Sequence, residues 1–169
     1  MMDRENPALL KTSGLVKTYP SSDGEITILD HIDFEASEGN FIAIVGRSGS
    51  GKTTFLNMLA GLDAPTKGSV TINGQNLSNM SDAELTQLRR HTVGFVFQSF
   101  GLLPLLSAYE NVELPLRIAG YSVKDRSSLT MEALEIVGLE KRKSHRPYEL
   151  SGGEQKRVSI ARAIVVKPP

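Results

Sequence analysis

An α/β fold is predicted by three observations on the 169-residue sequence. Two short apolar runs rich in β-branched and aromatic residues, FIAIV (41–45) and VGFVFQ (93–98), read as strands covered on both faces. Glycines follow the first run at once, and a helical pattern follows the glycines. Four further segments carry apolar residues at helical spacing or the Ser-x-x-Glu start signal of a helix.

Taken in order, Ile26, Ile28, Ile32 and Phe34 recur at alternate positions with Asp30 interrupting, which predicts a half-buried strand before EGN turns the chain into 41–45. KTTFLNMLAG then reads as a helix with Phe55, Leu56 and Leu59 on one side and Gly61 as its stop. SVTINGQNL carries the Asn73-Gly74 hairpin signal. Ser81 with Glu84 opens a helix reaching about Arg90. After Gln98 closes the second apolar run, Ser107 with Glu110 opens another helix, which Pro115 should bend or interrupt. Leu129, Ala133, Leu134 and Val137 mark an amphipathic helix closed by Gly138. Residues 105 to 145 are thus chiefly helical, and with no repeat or low-complexity linker they read as an insertion within one domain.

Composition narrows the function classes. Hydrophobic residues make up 40% and charged residues 22%, an ordinary globular balance. Nineteen Lys and Arg match nineteen Asp and Glu, so no basic excess argues for nucleic acid. Between Lys141 and Lys167, however, eight basic residues face only Glu149 and Glu154, which suits either a solvated face or a role in holding phosphate. With no cysteine there is neither a disulfide framework nor a thiolate metal site, a usage that suits the cytosol. The first residues, MMDRENPALL, do not form a signal sequence, and no apolar run approaches a membrane span. His31, His91 and His145 read as surface or turn residues.

GRSGSGKT, Gly46 to Thr53, fits the phosphate-loop pattern G-x-x-x-x-G-K-[ST] between a strand and a helix. Gly46, Gly49 and Gly51 let the backbone aim successive N–H groups, from Arg47, Ser48 and Ser50 as well, into one concavity that takes a polyphosphate. The following helix, through Thr54, adds unpaired N–H groups and its positive dipole end. Lys52 supplies a full charge for the β and γ phosphates, and the Thr53 hydroxyl is a Mg²⁺ ligand candidate. A dinucleotide fingerprint is disfavoured, because these glycines do not fit G-x-G-x-x-G.

ELSGGEQKRVSIARAIV (149–165) repeats the idea. Ser151 and Glu154 form a capping box, Gly152 and Gly153 leave the backbone open, and Val158, Ala161, Ile164 and Val165 stripe the helix that follows. Its N-terminus is a second place fit for an anion, although a plain capped helix start explains the same residues.

Leu150 to Gln155, LSGGEQ, resembles the signature motif of ATP-binding cassette (ABC) ATPases, and other family elements stand in the expected order over essentially the whole chain. Tyr19 in LVKTYP resembles the aromatic residue that stacks on adenine, and Gln98 resembles the glutamine that reaches Mg²⁺ and the attacking water. GLDAPTKGSVTING and FGLLPLLSAYENVELPL resemble the branch serving lipoprotein-releasing, macrolide-exporting and cell-division systems. The resemblance implies an α/β fold of the P-loop NTPase, ABC-ATPase type, with an antiparallel β subdomain and a helical subdomain. Residues 1–100 would form the nucleotide-binding β and P-loop core, 101–150 the helical subdomain and 151–169 the signature helix.

For function, the resemblance implies an ATP-binding subunit that uses ATP and Mg²⁺ and works as a head-to-tail dimer. In that dimer Ser151, Gly152, Gly153 and Glu154 of one chain cover the nucleotide held by Lys52 and its neighbours in the other. It further implies a transmembrane permease as partner, a peripheral place on the cytoplasmic face of the cell membrane, and no nucleic acid. Lys52, Gln98 and Ser151 would be its catalytic residues, and Thr53 and Gln98 its metal ligands.

Hydrolysis also needs a carboxylate to fix Mg²⁺ and a base to orient water. In ABC ATPases these sit on a strand after the signature helix, where this sequence reads ARAIVVKPP and stops, so the expectation is a chain interrupted before that strand, leaving an incomplete core sheet. Residues 1–169 alone are accordingly expected to bind without hydrolysing, and to be aggregation-prone for want of the strand beside 41–45. The alternative is a non-hydrolysing regulatory partner of a full-length subunit.

Overall fold

In the computed structural model, residues 8–22 and 24–169 are described. The chain divides into two compact units, Met1–Leu85 and Thr86–Pro169.

The first unit is built on a four-stranded antiparallel sheet. Strands β1 (Leu10–Ser21), β2 (Gly24–Ala36), β3 (Lys67–Ile72) and β4 (Gln75–Asn76) lie in the order β2-β1-β3-β4. The β3–β4 hairpin turns at Asn73 and Gly74, both with left-handed φ (49° and 75°), the two-residue connection that the Asn-Gly pair predicts. Leu15, Val16, Leu29, Val70 and Ile72 are buried. Ile28, Ile32 and Phe34 are half-buried as the alternation predicts, but Ile26 is exposed and Leu29 takes the buried place. The cause is a set of register shifts between β1 and β2, with His31 at φ 48°, so the two-residue period slips within β2.

Helix α1 (Lys52–Leu59) packs on this sheet, with the Phe55 ring edge-on to Phe34 at 5.5 Å. Phe55 and Leu59 are buried as predicted, whereas Leu56 is exposed and Met58 completes the buried face. Gly61, at φ 61°, follows the end of the helix as expected.

Among the described residues neither 41–45 nor 93–98 forms a strand, and this corrects the reading of both runs. A strand exists by its ladder partners, and no described segment pairs with either run. Phe41 and Val45 are consequently among the most exposed hydrophobic residues, at 97% and 87%.

The second unit is helical. Following α2 (Asp82–His91), which begins in the first unit, come α3 (Ala108–Ile118), α4 (Val123–Ile136) and α5 (Gly152–Ile164). Val112 and Leu116 of α3, Ala133 and Leu134 of α4, and Val158 and Ala161 of α5 form one buried core with Leu139, Leu150 and Val165. Ser81 and Glu84, Ser107 and Glu110, and Ser151 and Glu154 each make the predicted reciprocal cap. Gly138, at φ 68°, closes α4. Pro115 does not interrupt α3, which runs on to Ile118. The missing N–H costs one bond, while Val112 and Leu116, on either side of it, are fully buried, and tertiary packing wins.

Between α2 and α3 the chain is pinned by side chains. Asn111, fully buried, accepts the Leu103 N–H at 2.8 Å and donates to the carbonyls of Leu103, Leu106 and Ser107 at 3.0 to 3.1 Å. Arg162 of α5 donates to the Gly101 carbonyl at 2.7 Å and the Phe100 carbonyl at 2.9 Å. Gly94 approaches α5 so closely that a Cβ there would lie 2.3 Å from the Ala163 carbonyl oxygen.

Candidate nucleotide site

The first unit presents the glycine-rich loop at the start of α1. Gly49 and Gly51 hold left-handed φ of 80° and 85°, which a side chain would strain. A Cβ at Gly46 would fall 2.7 Å from Ser50 Oγ, so the Ser50 hydroxyl would have to turn aside. The loop curls round the Lys52 ammonium, which donates to the carbonyls of Gly46 (2.9 Å) and Arg47 (2.6 Å) and to Ser50 Oγ (3.3 Å). Gly51 precedes α1 without any side-chain cap, so the first-turn N–H groups are open to an incoming acceptor. Arg47, Ser48, Ser50 and Thr53 are exposed around this opening, with Thr54 half-buried behind it.

Tyr19, near the end of β1, belongs to the same unit. Its ring is 38% exposed and its hydroxyl donates to Asp63 Oδ2 at 2.9 Å. Lys17 donates to Asp63 Oδ1 at 2.8 Å and to the Ala64 carbonyl at 2.7 Å, and its ammonium stands 4.9 Å from the Tyr19 ring centroid. Partial desolvation, then the bond to Asp63, raise the Tyr19 pKa against a smaller opposing bond from Thr54. For Asp63 desolvation pushes upward, but Lys17, Tyr19 and the Ala64 N–H outweigh it and hold the carboxyl below its ordinary range.

The second unit carries the other predicted residues. Gln98 is exposed. At the start of α5, Ser151 Oγ accepts the Glu154 N–H at 3.3 Å, and Glu154 accepts both the Ser151 N–H and its hydroxyl at 2.8 Å. Those two bonds, with help from Arg142 and Arg157, keep the Glu154 carboxyl below its ordinary pKa. Gly152 and Gly153 lie exposed, and a Cβ on Gly152 would meet nothing within 4 Å. Much of the basic run has structural partners: Arg142 faces Glu154 at 3.5 Å, Lys167 pairs with Glu132 at 2.9 Å, and Arg162 holds the two carbonyls. His31 and His91 are exposed, while His145 is half-buried with Nδ1 fully covered. Sequence reasoning passed over Lys17, Asp63 and Asn111, and counted Arg162 only as one of the eight basic residues between Lys141 and Lys167. Only Lys17 left a signal, two residues from Tyr19 and therefore on the same face of a strand.

Among the described residues no group of His, Cys, Asp and Glu could hold a metal ion. The exposed Thr53 hydroxyl beside the phosphate loop fits a Mg²⁺ that arrives with a polyphosphate, which needs few protein ligands.

A phosphate loop opening a helix, with an aromatic ring beside it, defines a P-loop nucleotide-binding protein. Residues 29–169 match the ABC transporter family, and the chain belongs to that family. An ABC transporter ATP-binding protein of Thermotoga maritima is 49% identical over 90% of this chain and 65% of its own length. The lipoprotein-releasing system ATP-binding protein LolD of Chromohalobacter salexigens is 45% identical over 96% of this chain and 69% of its own. The ATP-binding cassette MJ0796, solved as a dimer in a post-hydrolysis state with ADP and Pi, superposes with a TM-score of 0.89 at 43% identity, covering 95% of this chain and 71% of that one. The chain thus spans about two thirds of the length of the relatives it matches.

Proposed function

We propose that this chain binds ATP with Mg²⁺ as the nucleotide-binding part of an ABC transporter. The observation that carries the reading is the loop curled round Lys52 at the uncapped start of α1. Gly46, Arg47, Ser48, Gly49, Ser50, Gly51, Lys52, Thr53 and Thr54 cradle the phosphates, Tyr19 takes the base, and Thr53 with Gln98 serves the metal. Ser151, Gly152, Gly153 and Glu154 of a second, head-to-tail copy complete the site. The dimeric structure of the MJ0796 cassette and the family resemblance support that arrangement. The partner is a membrane permease, reached from the cytoplasmic face; among the described residues no helix is long and apolar enough to cross a membrane. Similarity to LolD favours a lipoprotein-releasing or related system.

Mg²⁺ would supply charge neutralisation on the phosphates, while Lys52 and the loop N–H groups orient them. Calorimetric titration with MgATP tests the reading. Lys52→Ala should abolish measurable binding in a folded protein, and unchanged affinity would overturn it.

A further inference from the structure

Tyr19 is an exposed ring that β1 alone does not immobilise, yet three groups converge on it. Asp63 accepts its hydroxyl at 2.9 Å, and the Lys17 ammonium stands 4.9 Å from its ring centroid. Thr54, the second residue after Lys52, lies near the same hydroxyl and lowers its pKa. Asp63 is in turn fixed by Lys17 at 2.8 Å and by the Ala64 N–H at 2.7 Å, and Lys17 also donates to the Ala64 carbonyl. A tyrosine ring turns about two side-chain torsions; its hydroxyl lies on the axis of the second, so a bond there fixes the first and with it where the ring points before a ligand arrives. A cation over the ring attracts it electrostatically and adds to the restraint.

We infer that Asp63, held by Lys17, is a positioning residue that fixes where the Tyr19 ring sits for stacking on a nucleotide base. The inference rests on the nucleotide reading of the site. Asp63 itself touches no ligand. It acts only through the tyrosine hydroxyl, so its influence is confined to ligands that carry a planar base.

Titration of the chain with MgATP and with inorganic triphosphate separates the possibilities. Stacking on an aromatic residue corresponds to about fivefold to hundredfold in affinity. Tyr19→Ala should therefore weaken MgATP by that order and leave triphosphate unchanged. Tyr19→Phe, which removes only the hydroxyl, and Asp63→Ala should each weaken MgATP at least about threefold, again with triphosphate unchanged. The double variant should be no weaker than the worse single one, because both remove the same link. Wild-type MgATP affinity in Tyr19→Phe and Asp63→Ala, with Tyr19→Ala still selective, overturns the inference, as does additivity in the double variant. If Tyr19→Ala does not discriminate the two ligands, the base-stacking reading itself fails. Should Asp63→Ala not fold, Tyr19→Phe decides alone.

Discussion

Replacing Asn111 with Leu keeps the number and branching of the side-chain heavy atoms and removes every polar contact that this side chain makes with residues 103–107. Four backbone atoms lose a partner, but two retain another: the Leu103 carbonyl still accepts the Leu106 N–H, and the Ser107 carbonyl still accepts the Asn111 N–H. The Leu103 N–H and the Leu106 carbonyl depend on Asn111. Leaving a polar group unsatisfied costs about 1–3 kcal/mol if water is kept out. Leu103 is 44% exposed, so water partly compensates and the lower part of that range applies, giving about 2–3 kcal/mol for the pair. For a chain of this size that corresponds to a fall in melting temperature of about 4–12 °C. Thermal melting followed by circular dichroism measures the fall, and amide hydrogen exchange at Leu103 reports the same bond directly. A fall under about 2 °C with unchanged Leu103 exchange would refute the reasoning, because the loop would then be held by something other than Asn111.

Two further outcomes can be checked. Arg162→Met keeps the stem buried and removes both bonds to the Phe100 and Gly101 carbonyls, so limited proteolysis should cut between residues 98 and 106 faster than in the parent chain; equal rates would show that Arg162 does not hold the loop. Glu84, Glu110 and Glu154 all have folded pKa values lowered chiefly by backbone N–H bonds from Ser81, Ser107 and Ser151. Each therefore contributes stability that is fully present above the unfolded carboxyl pKa, near 4.5, and is lost as pH falls through the lower folded value. Melting temperature should drop on acidification below that point, and less steeply in a triple Gln variant; identical slopes would contradict the assignment.

Helix starts were the most legible part of the fold. A capping box is a local device, two side chains and two N–H groups within four residues, so Ser81, Ser107 and Ser151 announce helices whatever surrounds them. The Asn73-Gly74 turn was legible for the same reason. Apolar runs were not, because FIAIV states that a segment wants partners on both sides and is silent on which segment pairs with it. Leu29 and Leu56 show the finer limit: a register slip at a bulge, or the choice between Leu56 and Met58 on one helix face, decides which apolar residue is covered, and no local pattern fixes it. At the site, the phosphate loop was readable because backbone geometry dictates its glycines. Asp63 and Arg162 were not, since each acts on residues 44 to 62 positions away in the chain.

The bonds from Lys52 to its own loop set an entry threshold. An anion that draws the ammonium out of the curl must first replace the Gly46 and Arg47 carbonyls and the Ser50 hydroxyl as acceptors. Chloride offers a single centre and cannot match them. A chain of phosphoryl oxygens would offer several, along a loop whose first-turn N–H groups have no side-chain cap. Under the proposed function the lysine would be a stopper shaped by its own loop, and counting oxygens would come before reading any base.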